Sequence, residues 1–246
     1  MWPFSHKKSL YELGALDGLV DRHSHLLPGV DDGMRTEADS LAALRAYEQA
    51  GVSRLWLTPH IMEDYPNTSA DLRERFDRLR DAYAAVAGDR PVELHLAAEY
   101  MLDTLFAKRL EARDLLLLDE DEATLLVETS YFNPPANLYE LFEDIASAGY
   151  RPVLAHPERY MYMAQRDYDR VHDMGVRLQF NFVSVAGAYG PDVQRRAETL
   201  LRKGYYTYAG SDMHRLRATR ACIERPIKAS VAERALNLIK QQNDHK

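Results

Sequence analysis

Short apolar runs alternate along this chain with longer stretches whose apolar residues recur at helical spacing. The runs fall at 18–21, 55–58, 94–98, 124–127, 152–155, 177–180 and 206–210. They are continuous more than alternating, as expected of strands buried on both faces. Between them, Leu41, Leu44 and Tyr47 mark a helix over 37–50 that stops at Gly51. Leu72, Phe76, Leu79 and Tyr83 mark another over 70–86, stopped by Gly88. Further helices fit 101–112, 138–148, 167–174, 191–202 and 230–241, with Pro191 suited to a first helical turn. Strand and helix in turn imply an α/β fold with a parallel sheet and helical crossovers. A barrel of seven or eight strands fits 246 residues as one domain. A doubly wound open sheet has the same periodicity, and periodicity does not choose between them.

Composition narrows the class. Hydrophobic residues make up 46% and charged residues 28%, ordinary for a globular chain long enough to bury a core. Cys222 is the only cysteine, so neither an intramolecular disulfide nor a multi-thiolate zinc site is available. The 31 basic and 38 acidic residues leave a net charge of −7, which argues against a nucleic-acid partner. No stretch approaches the roughly 18 apolar residues of a membrane span. The start Met1-Trp2-Pro3-Phe4-Ser5-His6-Lys7-Lys8 lacks the apolar run of a signal peptide. The expectation is a cytoplasmic protein without stable membrane insertion.

The candidate chemistry lies at the strand ends. His23 and His25 follow the first run, His60 the second, His156 the fifth and His214 the seventh. Glu99 follows the third, Glu128 the fourth and Asp212 the seventh, and Asp32 sits in the first loop. A lone histidine is more often structural than a ligand. In barrels of this class, however, the site forms at the C-terminal strand ends, from several strands together. Imidazoles and carboxylates converging there would repel or protonate unless cations neutralise them. His-x-His on an extended segment points both rings to one face. The donors are nitrogen and oxygen without sulfur, which suits Mn, Fe or Zn. Nine ligands exceed one ion and suit two or three divalent ions, the usual equipment for phosphoester hydrolysis. His6, His95, His172 and His245 lack this placement and read as surface or structural residues.

The stretch Asp21-Arg22-His23-Ser24-His25-Leu26-Leu27-Pro28-Gly29-Val30-Asp31-Asp32-Gly33 resembles the opening motif of the polymerase-and-histidinol-phosphatase (PHP) superfamily. Its Leu-Pro-Gly-Val-Asp-Asp-Gly part resembles the bacterial capsule and exopolysaccharide tyrosine-phosphatase branch. Many other members carry histidine where Asp32 stands. Thr58-Pro59-His60 with Tyr65-Pro66-Asn67-Thr68, Ala98-Glu99-Tyr100, Val127-Glu128, the run from Gly149 to Tyr160 and Gly210-Ser211-Asp212-Met213-His214 are similar to the later motifs. The resemblance covers Asp17 to Arg217, in the family's order.

This resemblance implies a distorted TIM-like (β/α)7 barrel, with a lead-in over 1–16 and one phosphatase domain over 17–246. It implies three metals: one on His23, His25, Glu99 and Asp212, a second sharing Glu99 and adding Glu128 and His156, a third on Asp32, His60 and His214. Manganese is the expected ion, with Fe or Zn as alternatives. Arg159 matches a phosphate-binding arginine. A second such arginine is less fixed: the position some members use is Thr219 here, Arg215, Arg217 and Arg220 lie close by, and a His-x-x-Arg spacing selects Arg217.

The implied reaction is hydrolysis of phosphotyrosine on a protein, a bacterial tyrosine kinase tail controlling capsule or exopolysaccharide synthesis being the expected partner. Arg159 would stabilise phosphoryl charge, since guanidinium matches phosphate in a fork, and His214 or Asp212 would assist the leaving oxygen. Other routes fail on motif: six residues after Cys222 stands Lys228, not the arginine a cysteine phosphatase needs, and there is no Gly-x-Ser-x-Gly elbow or phosphate loop. A histidinol-phosphate-type esterase, a 3′–5′ exonuclease and a metal-stabilised, non-catalytic regulatory domain stand as alternatives.

Overall fold

The computed structural model describes residues 6–244; Trp2 and the rest of the start before His6, and His245, lie outside the described residues. In chain order the elements are β1 (Lys7–Lys8), β2 (Val20–Asp21), α1 (Glu37–Gln49), β3 (Arg54–Leu57), β4 (His60–Ile61), α2 (Ser69–Ala84), β5 (Glu93–Leu96), β6 (Glu99–Met101), α3 (Thr104–Ala112) and β7 (Thr124–Glu128). There follow α4 (Leu138–Ser147), β8 (Arg151–Ala155), α5 (Gln165–Asp173), β9 (Arg177–Asn181), α6 (Pro191–Lys203), β10 (Tyr206–Gly210), α7 (Leu216–Ile223), β11 (Ile227–Lys228) and α8 (Ala229–Asp244). Short polar side chains start the early helices: Thr36, Thr68 and Asp103 accept from backbone N–H groups of α1, α2 and α3.

The expected parallel sheet is present, but its ladders form two sheets rather than one ring. One runs β10-β9-β8-β7-β6-β4 and the other β2-β3-β5, all pairs parallel. The second strand breaks at Thr58-Pro59, where proline has no N–H to give a ladder. Ala97 N still donates to Leu57 O at 2.9 Å and Glu99 N to Pro59 O at 3.1 Å, so β3–β4 and β5–β6 run on side by side. At the other side, Asp212 N donates to His23 O at 2.8 Å and His25 N to Met213 O at 3.0 Å. Between β2 and β10 lies the side chain of Gln242, which donates to Val20 O at 2.9 Å and accepts from Ala209 N at 2.7 Å. Asn243 beside it accepts from Val20 N at 3.0 Å and donates to Gly18 O at 2.8 Å.

Successive residues of a strand enter two different cores. Leu55, Leu57, Leu125, Val127, Leu154 and Phe180 pack in the large cluster with helix residues such as Leu44, Leu72, Phe142 and Leu200. Trp56, Leu126, Val153, Ala155 and Tyr208 pack in a smaller one with Val20, Ala97 and Leu118. This explains the continuous apolar runs, since each strand buries both faces. Truncating one such side chain, Leu126→Ala for example, costs about 2–5 kcal/mol.

Three elements depart from the sequence pattern. The helix α7 is short and hides Thr219 and Ile223 among charged residues. The strands β1 and β11 pair antiparallel over two residues each, too short to show a period. Within the lead-in, Leu10 and Ala15 are buried in the large core. Among the described residues no helix is long and apolar enough to cross a membrane.

Candidate metal centre

The strands deliver polar side chains to one end of the sheets. His60 opens β4 opposite Glu99, which opens β6; Glu128 closes β7; His156 follows β8; Asp212 lies just past β10. His23 and His25 follow β2, and their backbones bond to the Asp212–Met213 segment as described. Two glycines permit this approach. A Cβ at Gly210 would lie 2.5 Å from the His23 Cβ, and one at Gly33 would lie 2.2 Å from the His25 carbonyl oxygen. His156 and Asp212 have φ of 32° and 51°, left-handed values that cost a non-glycine residue energy and concentrate at functional sites.

The two rings of the His-x-His pair are held by their outer nitrogens. His25 Nδ1 is 2.8 Å from Asp31 Oδ2, an ionised acceptor. His23 Nδ1 is 3.0 Å from Gln179 Oε1, whose amide is oriented by donation from Nε2 to Phe180 O at 2.7 Å. Both Nδ1 atoms therefore donate, and in neutral rings both Nε2 atoms are bare lone pairs. These face each other at 3.1 Å. Glu99 Oε2 lies 3.3 Å from each, and Asp212 Oδ1 lies 3.6 and 3.4 Å away. Among the described residues neither oxygen has a hydrogen-bond partner, nor does His60 Nδ1 or His156 Nδ1. Four inward-facing donors around one point require a cation, a metal ion or protons.

The electrostatics agree. Burial disfavours an imidazolium at His23 and His25, but Glu99 and Asp212 beside the first outweigh it and raise its pKa. Asp31, Asp212 and Glu99 beside the second raise that one well above the usual value. Burial likewise opposes ionisation of Glu99 and Asp212. The surrounding histidines, with Arg159 at Asp212, nevertheless hold both carboxyls well below the usual range.

The remaining candidates extend the cluster. His60 Nδ1 is 3.2 Å from Glu99 Oε2 and 3.0 Å from Glu128 Oε1. His156 Nε2 is 2.9 Å from Glu99 Oε1. His214 Nε2 is 3.2 Å and His60 Nε2 3.6 Å from Asp32 Oδ1, at the rim, where the Asp32 side chain is 55% exposed. Ligand atoms within 4.8 Å of one another form four groups: His25, Asp32, His60 and His214; His23, His25 and Asp212; His23, Glu99 and His156; His60, Glu99 and Glu128. All nine candidates belong to these groups, which overlap. His25 also reaches the rim set, and His60 the Glu99–Glu128 pair.

Arg159 stands at the edge of this cluster, in a 3-10 turn at Pro157–Arg159. Its Nη1 donates to Asp212 Oδ2 at 2.8 Å, and its guanidinium lies between the rings of Tyr131 and Tyr189, 4.2 Å from each centroid. Burial lowers its pKa, but Asp212 outweighs this and raises it. The same Asp212 oxygen accepts from Asn181 at 2.9 Å and from the Tyr189 hydroxyl at 3.3 Å. Arg196 donates to the carbonyls of Glu158 at 3.1 Å and Tyr160 at 3.2 Å, on either side of Arg159.

The arginines after His214 diverge. Arg217 is exposed in α7 and forms no hydrogen bond or ion pair with the cluster among the described residues. Arg215 bonds the Asp32 carbonyl at 2.9 Å and also Gly33, holding the first loop. Arg220 pairs with Glu224 at 2.8 Å. Cys222 is half-buried in α7, and burial pushes its thiol pKa up. His95 stacks on Trp56 and His172 on Tyr205, both apart from the cluster.

Sequence reasoning missed Asp31, Gln179, Asn181, Tyr131, Tyr189 and Arg196. Gln179 and Asn181 carried a usable signal, since each is a polar residue inside a strand buried on both faces. Tyr189 and Arg196 carried none, because neither loop nor helix spacing points to Arg159.

Known proteins resemble this chain over most of its length. The family described as "Capsular polysaccharide synthesis, CpsB/CapC" matches residues 19–242. The tyrosine-protein phosphatase YwqE of Bacillus subtilis is 29% identical over 202 residues, covering 81% of this chain and 78% of that protein. The tyrosine-protein phosphatase CpsB of Streptococcus pneumoniae is 28% identical over 207 residues, covering 80% and 84%. A chain from the crystal structures of YwqE and CpsB, described as unique metal-dependent tyrosine phosphatases, superposes with a TM-score of 0.73 at 25% identity. That match covers 91% of this chain and 95% of the other.

Proposed function

The chain belongs to the CpsB/CapC family of capsular polysaccharide synthesis, and from that premise we propose that it is a metal-dependent tyrosine phosphatase acting on phosphotyrosine in a protein. The observation that carries the reading is the pair of bare imidazole nitrogens 3.1 Å apart, with the donor-free oxygens of Glu99 and Asp212 beside them. We assign the metal role to His23, His25, Asp32, His60, Glu99, Glu128, His156, Asp212 and His214, holding two or three divalent ions. Mixed nitrogen and oxygen donors suit manganese, with iron and zinc also acceptable. Such ions supply hydroxide at neutral pH and neutralise phosphoryl charge.

The chain's own residues supply the rest. Arg159 keeps one nitrogen on Asp212 and offers its remaining donors to phosphoryl oxygens, whose charge it meets in a fork. Tyr131, Tyr189 and Arg196 fix the direction of that fork. His214 donates from Nδ1 to the Asp212 carbonyl at 3.0 Å, which keeps its Nε2 facing the rim, where with Asp212 it borders the leaving oxygen. A phenolate leaves readily, so the demand on a proton donor is small. Arg217, exposed beyond His214, meets substrate from outside the cluster. The proposed substrate is the phosphorylated tail of a tyrosine kinase governing capsule or exopolysaccharide synthesis, in the cytoplasm. The same reading takes the two sheets as one distorted (β/α)7 barrel within 17–246. The bonds between His23–His25 and Asp212–Met213, and the small second core, support it.

Turnover of a phosphotyrosine peptide, measured with Mn, Fe or Zn and in chelator, tests the assignment, together with elemental analysis of the purified protein. Metal-dependent turnover and more than one ion per chain are expected. Full activity in chelator with no bound metal would remove the metal reading.

A further inference from the structure

Five large apolar side chains are exposed among the described residues. Tyr189, 37% exposed, stacks on Arg159, while Phe132 at 71% and Met161 at 52% lie in the two loops that carry Tyr131 and Arg159. Phe132 follows Tyr131 in the loop after β7, and Met161 follows the turn that carries Arg159. Met161 N donates to Tyr131 O at 2.7 Å, which sets these two loops side by side. Arg196 Nη2 lies 3.8 Å from the Met161 sulfur. Phe132 and Met161 thus lie on the loops that flank the proposed phosphate clamp, whose guanidinium is stacked between Tyr131 and Tyr189. Asp32 and the Arg215 that pins its loop form a separate, polar part of the rim at His214.

We propose, building on the phosphotyrosine reading, that Phe132 and Met161 form a docking surface for an apolar side chain flanking the phosphotyrosine of a protein substrate. An extended segment advances about 3.3 Å per residue, so a residue one to three places from the phosphotyrosine reaches a surface bordering the clamp. A small phosphoester does not. The exposed side chains are apolar, and the nearby cation Arg196 turns Nη1 to the carbonyls of Glu158 and Tyr160 and Nη2 to the Met161 sulfur. Methionine is unbranched and adapts to differing partners.

The test compares wild type with Phe132→Ser and Met161→Ser, singly and combined, on three substrates. These are a small aryl phosphate, a phosphotyrosine peptide with leucine on both sides, and the same peptide with aspartate there. For the double variant the expected result is a KM raised about tenfold for the leucine peptide, by loss of apolar contact. Its kcat/KM for the small ester should stay within about twofold. The aspartate peptide should bind wild type more weakly and be little affected by the substitutions. An unchanged KM for the leucine peptide would overturn the proposal. So would an equal loss on all three substrates, because the residues would then act on the clamp itself. A wild type that turns over the small ester but neither peptide would refute the docking surface and leave a phosphatase for small molecules. A wild type inert on all three would sink the phosphatase reading and the surface with it.

Discussion

Replacing Arg159 by alanine separates two ways in which this residue could matter. Its Nη1 is one of three donors to Asp212 Oδ2, with Asn181 at 2.9 Å and the Tyr189 hydroxyl at 3.3 Å. If Arg159 served only to orient Asp212, its loss would act on metal binding. Removing a partner that orients a ligand typically weakens metal affinity about 10–100-fold, and excess metal restores activity. If Arg159 meets the phosphoryl oxygens, its loss removes charge stabilisation that metal cannot replace, about 10²–10³ in turnover or roughly 3–4 kcal/mol. The stacked and half-committed guanidinium supports the second case. It is held on both faces and one edge, and its other edge remains to meet an anion. Arg159→Ala at saturating manganese should therefore lower kcat/KM for a phosphotyrosine peptide about 10²–10³-fold, with metal content near wild type. Arg159→Lys should rescue only part of this, since an ammonium lacks the fork and the flat face. A kcat/KM within about threefold of wild type at saturating metal, below about 0.7 kcal/mol, would refute the phosphate role.

Three further outcomes follow from the same geometry. Asp31→Asn should weaken metal binding about 10–100-fold in a metal titration while leaving the circular dichroism unchanged, because Asp31 fixes the His25 tautomer. In chelator, the folded His25 pKa lies well above its unfolded value of about 6.5, so its stabilisation is full below that pH and fades as pH rises through the folded value. Calorimetry should find the chelated protein losing Tm as pH rises above about 6.5. The metal-loaded protein should instead gain Tm from about pH 5 to about pH 7, as its ligands shed protons; a rise with pH in chelator would contradict the assigned cluster. Cys222→Ser should keep phosphatase activity within a few-fold, since the thiol lies in α7 with its pKa raised by burial; complete loss in a folded protein would speak for a thiol route.

The chain makes its elements legible because its strands are buried on both faces. Runs such as Leu125-Leu126-Val127 are apolar throughout, and they end where the ligands begin. The metal-type residues stand out for the same reason, since Glu128 and His156 interrupt or follow runs that have no other use for charge. What pattern cannot show is contact made across the fold. The second strand resumes beyond Pro59 only because Glu99 N reaches the Pro59 carbonyl. Gln179 reads as one polar residue among apolar ones until its amide is seen against His23. Tyr189 lies in a loop whose spacing carries no information, yet its ring and hydroxyl hold two parts of the site. The grouping of ligands is likewise set by packing, which brings His60 to Glu128 as well as to Asp32.

The side chain of Gln242 occupies the seam between the first parallel strand and the last, 222 residues from its partner Val20 and 33 from Ala209. This gives the molecule a temporal order. During synthesis, His23 and His25 emerge early, but Asp212, which completes their surroundings, appears only near the end, and the amide that caps the seam comes later still. Contacts of such long sequence separation carry a large loop-closure cost and slow folding. The nascent chain therefore exposes two imidazoles and an unfinished strand edge for most of its elongation. A transition metal captured at that stage would find half a site, able to bind in the wrong coordination. Closure by the last helix thus sets when a correct complement of ions can first be retained, and shortening the chain before Gln242 should yield protein that folds late and holds metal poorly.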